Sequence, residues 1–359
     1  MLNSFKIKYH KFYLLIAVFL LCFSCYETNE LEKEIDSIPI DIEIIRFDKV
    51  FGNSDMDDLQ DLKSRFPIFF PKQYHDSIWK IKMNDTLTRQ LFVEVIKKYP
   101  EESKLTKELK TLFKHIKYYY PTFKIPNVIT ANSDVDYKNK IFLSDQTLIV
   151  SLDNYLGSDH FFYQGIPKYI SNNMKESQIL SDVASVCSQL FIPKIKNTTF
   201  LSQMIYYGRI LYLKDIWLTK TSDAIKIGYS EEKLKWVQDN ENQIWRNFIE
   251  NEYLFSTNPK LIARFISLAP FSKFYLEIDN DSPGMVGRYI GWQIVRSFMD
   301  KKDASLEKLM TLSEEEIFYK SNIEIDYHEY NHPKYKQKGK NYWKGILFII
   351  NSNGNTTAY

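Results

Sequence analysis

Between Asp281 and Met299 the chain reads DSPGMVGRYIGWQIVRSFM. Three of its eleven glycines, Gly284, Gly287 and Gly291, fall there within eight residues. Glycine inside a helix costs roughly 1 kcal/mol relative to alanine, so two of them four residues apart need a compensating reason. The one available is the near approach of another backbone along the Gly287/Gly291 edge, beside an apolar stripe of Ile290, Ile294 and Val295. Asp281 or Ser282 is expected to cap this helix, with Pro283 in its first turn, where a missing amide hydrogen costs nothing. Its expected neighbours are the stretches Ile179–Leu190 and Leu201–Leu213, which are apolar around most of a helical circumference.

The remaining patterns are shorter. Ile38, Ile40, Ile42 and Ile44 alternate with Pro39, Asp41 and Glu43, the period of a strand with one buried face, which Arg46 and Phe47 continue. Asn127–Thr130, Ile141–Leu143 and Thr147–Leu152 read as three further strands. A short polar helix is expected over residues 55–65, followed by an aromatic turn from Phe66 to Pro71. Leu87, Leu91, Phe92, Val95 and Ile96 mark an amphipathic helix, and Leu105, Leu109, Leu112, Phe113 and Ile116 mark another. Trp236, Val237, Ile244, Trp245 and Phe248 line one long helix, and Leu261, Ile262 and Phe265 a shorter one. With 44% hydrophobic residues and 25 each of tyrosine and phenylalanine, the chain can bury a large aromatic core. The expected class is α+β, a small N-terminal β-sheet followed by a mainly helical body, in a single domain over residues 38–322. Residues 323–359 form an atypical polar tail.

Residues 1–24 read as a signal peptide. Lysines come first, then twelve apolar residues from Phe12 to Phe23, shorter than a membrane span. Ser24-Cys25 closes the run and resembles a bacterial lipobox, which makes Cys25 the expected lipid-attachment residue and 25–37 a polar tether. An ordinary secretory signal or an uncleaved anchor fits the same residues. The formal charge of +2 falls to −1 once Lys6, Lys8 and Lys11 of the leader are subtracted, and interspersed signs give no footprint for nucleic acid. Of the three cysteines only Cys187 lies in the body, so no disulfide framework is expected there.

The candidate chemistry is sparse. His328-Glu329-Tyr330-Asn331-His332 spells H-E-x-x-H, which on a helix puts two imidazoles on one face for zinc, with the glutamate as base. Pro333 disfavours helical geometry at His332, and no Asp, Glu, His or Cys follows to supply a third ligand. His75, His115 and His160 are isolated and read as structural or surface residues, and Cys187 as a buried small hydrophobe. Glu241, Glu250 and Glu252 read as solvated carboxylates without an acid/base partner. No catalytic residue, metal ligand or cofactor site is assigned.

Several stretches together resemble the GldB family of gliding-motility lipoproteins from the Bacteroidetes. They are IEIIRFDKVFG near residue 43, HIKYYYPTFKIPNVIT at 115–130, LIVSLDNYLGSDHFFYQGIPKYI at 148–170, QMIYYGRILYLKDI at 203–216, KIGYSEEKLKWVQDNENQIW at 226–245 and APFSKFYLEIDNDSPGMVGRYIGWQIVRSFM at 269–299. That family looks distantly related to zincin-type zinc peptidases. The resemblance would put a metal-binding helix near Ile179–Leu190 and a ligand-bearing Glu-Gly pair near Tyr207-Gly208. Here the helix reads SDVASVCSQL and position 207 is tyrosine. The resemblance thus implies a zincin-like scaffold lacking its metal ligands. The implied protein is a non-enzymatic lipoprotein of the cell envelope, lipid-anchored and facing the periplasm, with other gliding or secretion machinery proteins as partners. A zinc metallopeptidase using His328, Glu329 and His332 is the alternative, and a peptide- or glycan-binding lipoprotein a second one.

Overall fold

The computed structural model describes residues 30–321 apart from residues 145 and 196. It is mixed α+β and divides into two compact units. One runs to Val186 and includes Ile216–Leu218; the other comprises Cys187–Asp215 and the chain from Thr219.

In the first unit the strands β1 (Ile44–Arg46), β2 (Asn127–Ala131), β3 (Ile141–Ser144) and β4 (Thr147–Ser151) form one sheet in the order β1-β2-β4-β3. β1, β2 and β4 are parallel, and β3 is an antiparallel edge. Parallel neighbours need a crossover, and the chain between β1 and β2 supplies it. That chain holds α1 (Phe47–Asn53), α2 (Leu59–Arg65), α3 (Asp76–Asn84), α4 (Thr86–Lys98) and α5 (Ser103–Tyr119). β2 is buried from Val128 to Ala131, whereas edge strand β3 alternates between exposed and half-buried positions.

The expected first strand is cut short at both ends. Residues 38–43 keep the alternating burial of an extended chain, but only Ile44–Arg46 pair with β2. Phe47 opens a helix instead of continuing the strand. The cause is Asp48, fully buried in the first turn of α1. It accepts three hydrogen bonds from Arg46, at 2.9, 3.2 and 2.6 Å, and one from Thr130, which faces Arg46 in the sheet register. α1 then joins an aromatic cluster of Phe47, Phe51, Phe66, Phe70 and Phe92 with Ile129 and Ala131 of β2. Residues 30–37, the later part of the expected tether, are helical, with Ile35 buried. Lys114 of α5 donates to the Asp36 carbonyl there, and Tyr118 to the Glu34 carboxylate at 3.4 Å.

α6 (Ile179–Ser188) precedes α7 (Phe200–Trp217). The second unit is built on α7 and α12 (Val286–Met299), between which lie α8 (Asp223–Ile227), α9 (Glu231–Asp239), α10 (Glu241–Glu250) and α11 (Pro259–Phe265). α13 (Leu306–Thr311) and α14 (Glu314–Ser321) follow. Of the two glycines four residues apart, Gly291 meets the α7 backbone, whereas Gly287 faces the side-chain end of Ile266 first. A Cβ on Gly291 would overlap the Met204 carbonyl, and one on Gly208 would overlap the Gly291 carbonyl. Two backbones therefore touch, and Ile290, Ile294 and Val295 are fully buried beside them.

Two helix boundaries differ from expectation. α12 starts at Val286, after Met285 in the left-handed region (φ 63°), so Pro283 and Gly284 precede it. Gly284 is pressed on the Ala269 carbonyl and accepts a 2.5 Å hydrogen bond from Tyr229, and Ser282 is tied to Ser272. These ties hold the segment out of helical register until residue 286. The long helix expected around Trp236–Phe248 is two, broken at Asn240 (φ −108°). The Asn240 amide donates to the Trp236 carbonyl at 2.8 Å, a local bond that competes with helix continuation.

Gly291→Ala is expected to destabilise the second unit by about 3 kcal/mol or to prevent folding, because a methyl group would meet rigid backbone. Gly287→Ala should cost less, since the nearest atom its methyl meets is the movable end of Ile266. Urea denaturation of both variants checks this order; equal midpoints would refute the backbone argument.

Candidate functional site

Cys25, His328, Glu329 and His332 lie outside the described residues. The described histidines are structural. His75 accepts from the Ser77 amide and caps α3, and His115 is buried against the Thr111 carbonyl at 2.9 Å. His160 stacks on Phe161 and Phe162. Cys187 is fully buried, and burial pushes its thiol up to about 12, far from a reactive thiolate.

α6 is where the family resemblance would put a metal. α6 carries no histidine, and its first turns read Ser181-Asp182-Val183-Ala184-Ser185. Ser181 is fully buried, and Ser185 turns back to donate to the Ser181 carbonyl at 3.0 Å. Asp182 is bound by Lys140 and accepts from Tyr155 at 2.9 Å. Zinc requires thiolate, imidazole or carboxylate donors, and catalytic zinc also keeps one position open for water. Two serines and a carboxylate already engaged by an ammonium do not fit it.

A second polar cluster forms beyond the carboxyl ends of β2 and β4, the edge at which parallel sheets commonly bind ligands. Asp153 is fully buried and accepts from the amides of Ser133, at 3.0 Å, and Val135, at 2.6 Å. These amides hold Asp134 (φ 57°) and Val135 (φ 61°) in the left-handed region, a strained arrangement for a β-branched residue. Burial raises the Asp153 carboxyl to about 6, against the pull of the two amides. With both oxygens used to shape a loop and no exposure, Asp153 works as a brace.

A cavity of about 260 Å³ lies between α4, α5 and the start of α6, lined in part by Lys98, Lys104, Glu108, Glu176 and Ile179. Lys104 pairs with Glu176, and Lys98 reaches the same carboxylate at 3.4 Å. These matched charges leave no strong field at its mouth.

In the second unit Asp215 receives Trp292 Nε1, Arg296 Nε and Arg296 Nη2, each at 2.8 Å, and Lys226 at 2.9 Å. Asp223 takes the remaining Arg296 nitrogen at 2.8 Å. Each carboxylate is answered, so this network positions helices. Glu241, expected to be solvated and partnerless, accepts from Tyr289 of α12 at 2.9 Å, and burial raises its pKa. Tyr207, at the position of the expected Glu-Gly pair, lies under the Arg288 guanidinium at 4.0 Å from the ring centre. Among the described residues no three His, Cys, Asp or Glu groups gather closely enough to hold a metal.

A family model described as gliding motility protein GldB matches residues 28–324. The chain belongs to the GldB family. Comparison with curated proteins and with solved structures returns no match. The GldB match spans both compact units, and no helix among the described residues is long and apolar enough to cross a membrane.

Asp153 is expected to make the first unit of this GldB family member pH-sensitive. Its folded carboxyl holds a proton to higher pH than an unfolded aspartate, so its contribution to stability is greatest below pH 4 and falls as pH rises through about 6. The loss is on the order of 3 kcal/mol, from about 1.4 kcal/mol per pKa unit. Asp153→Asn should flatten this part of the profile. Urea midpoints of both proteins between pH 4 and 7.5 check it; parallel profiles would refute it.

Proposed function

We propose that this GldB family member is a non-catalytic interaction component of the gliding machinery, held in the cell envelope by a lipid on Cys25 with its body in the periplasm. The observation that supports this most is on α6. Where a zincin-like scaffold would hold zinc, this helix has no imidazole, and Asp182 is bound by Lys140 and Tyr155. Lys140 and Tyr155 both bind Asp182 Oδ2, so an ammonium and a phenol, rather than a metal-bound water, partner this carboxylate. The other buried carboxylates point the same way: Asp48 and Asp153 each serve neighbouring backbone or side-chain donors.

The lipid anchor is tested by Cys25→Ala, which should abolish metabolic labelling with a fatty acid. A deletion strain should lose gliding and regain it on complementation, and a deletion strain that glides normally would overturn the functional reading. Purified protein should contain less than stoichiometric zinc, and His328→Ala/His332→Ala should restore gliding to the deletion strain as well as the parent does. Stoichiometric zinc lost on His332→Ala would turn the reading towards a peptidase.

A further inference from the structure

The helix over residues 30–37 is fixed to the first unit, although the sequence places it within a tether. Ile35 is only 1% exposed. Lys114 of α5 donates to the Asp36 carbonyl, Tyr118 donates to the Glu34 carboxylate at 3.4 Å, and Glu32 lies 3.4 Å from His115 Nε2. The chain left between Cys25 and this helix is residues 25–29. Even fully extended, that stretch spans at most about 17 Å, whereas residues 25–37 would reach about 44 Å if the helix were not docked. A lipid on Cys25 therefore keeps Glu30 close to the headgroups.

The docking point also fixes which end of the sheet lies near Glu30. The helix meets the C-terminal half of α5, and α5 leads through an exposed turn at Pro121-Thr122 to the amino end of β2. Residues 38–43 run from the same helix to the amino end of β1. Both connections therefore enter at the amino ends of the parallel strands. At the carboxyl end of β2, Asp134 binds Lys82 of α3 at 2.7 Å, and the adjacent Ile81 is 70% exposed. The length of β2, Asn127–Ala131, separates the two ends by roughly 17 Å.

We propose that the helix over residues 30–37 and the end of α5 form the face of the first unit that lies against the lipid headgroups. The carboxyl ends of the strands then point away from the membrane. This rests on the reading of Cys25 as the lipid-attachment residue. The length of the connecting chain selects the bilayer as occupant, and charge does not. Exposed Glu30, Glu34 and Asp36 outnumber Lys33 on that helix, so it has no attraction of its own for anionic lipid. Half-buried Tyr118 and Tyr119, whose rings meet edge to face at 5.1 Å, suit the polar–apolar boundary of the headgroup layer.

The test uses the full lipid-bearing chain in phosphatidylcholine vesicles and the rate at which a bulky PEG-maleimide reaches an introduced cysteine. Thr122→Cys probes the proposed membrane face and Ile81→Cys the opposite end of the sheet. Both positions are exposed, and the native Cys187 is fully buried. Each variant is compared with the same variant carrying about twenty Gly/Ser residues inserted after residue 29, which raises the r.m.s. reach of a flexible connection to about 27 Å. The insertion should speed reaction at Thr122→Cys severalfold and leave Ile81→Cys unchanged. Equal rates at Thr122→Cys with and without the insertion, or protection of Ile81→Cys instead, would overturn the orientation. Fatty-acid labelling of the same samples separates the two readings. A labelled chain with an unprotected Thr122→Cys overturns the orientation and leaves the anchor standing, whereas an unlabelled chain overturns both.

Discussion

The second unit depends on the approach of two backbones where α7 crosses α12. Gly208 and Gly291 leave no room for a side chain between the helices, and that closeness decides where the neighbouring groups go. Ile290, Ile294 and Val295 are buried beside the crossing. Trp292 and Arg296 are brought to Asp215 near the end of α7, and Tyr289 to Glu241. On α7, Arg209 is only 1% exposed and donates to the Leu309 and Leu312 carbonyls and to Glu314. It thus ties α13 and α14 to the same scaffold. A buried arginine requires a complete set of acceptors, and here the helix ends provide them.

The ionic groups fall into two kinds. Arg46, Arg209 and Arg296 are paired with carboxylates, whereas Lys233, Arg264 and Arg288 are bound to loop carbonyls. The paired set explains stability and specificity of packing. The second set holds the loop over residues 266–276 in position. The first unit follows a similar logic at Asp48 and Asp153. Each carboxylate sits at the end of a strand and fixes the chain that leaves it.

Much of this was legible in local pattern. The apolar face of α5 and the four strands follow from spacing alone, and so does the glycine contact. The early end of β1 was not legible, because it depends on Asp48 meeting Thr130, which is 82 residues away in sequence. The break at Asn240 left only a weak trace, an asparagine among polar neighbours in a run that still looked amphipathic. Glu241 appeared solvated because Tyr289, the residue that engages it, belongs to another helix 48 residues on. The carbonyl-bound cations had no sequence signal, since a lysine or arginine looks the same whether or not a carboxylate faces it.

The sequence by itself determined the family, the α+β class and the need for a close helix partner at Gly291. It also determined the absence of imidazoles from α6. Each of these rests on residue type and short spacing, which survive without coordinates. Tertiary structure decided that Gly291 meets the α7 backbone at Met204 and Gly208, which carboxylates are neutralised and which cations are left to loop carbonyls. Those outcomes depend on pairs far apart in the chain, and burial sets their energies only after folding has brought them together.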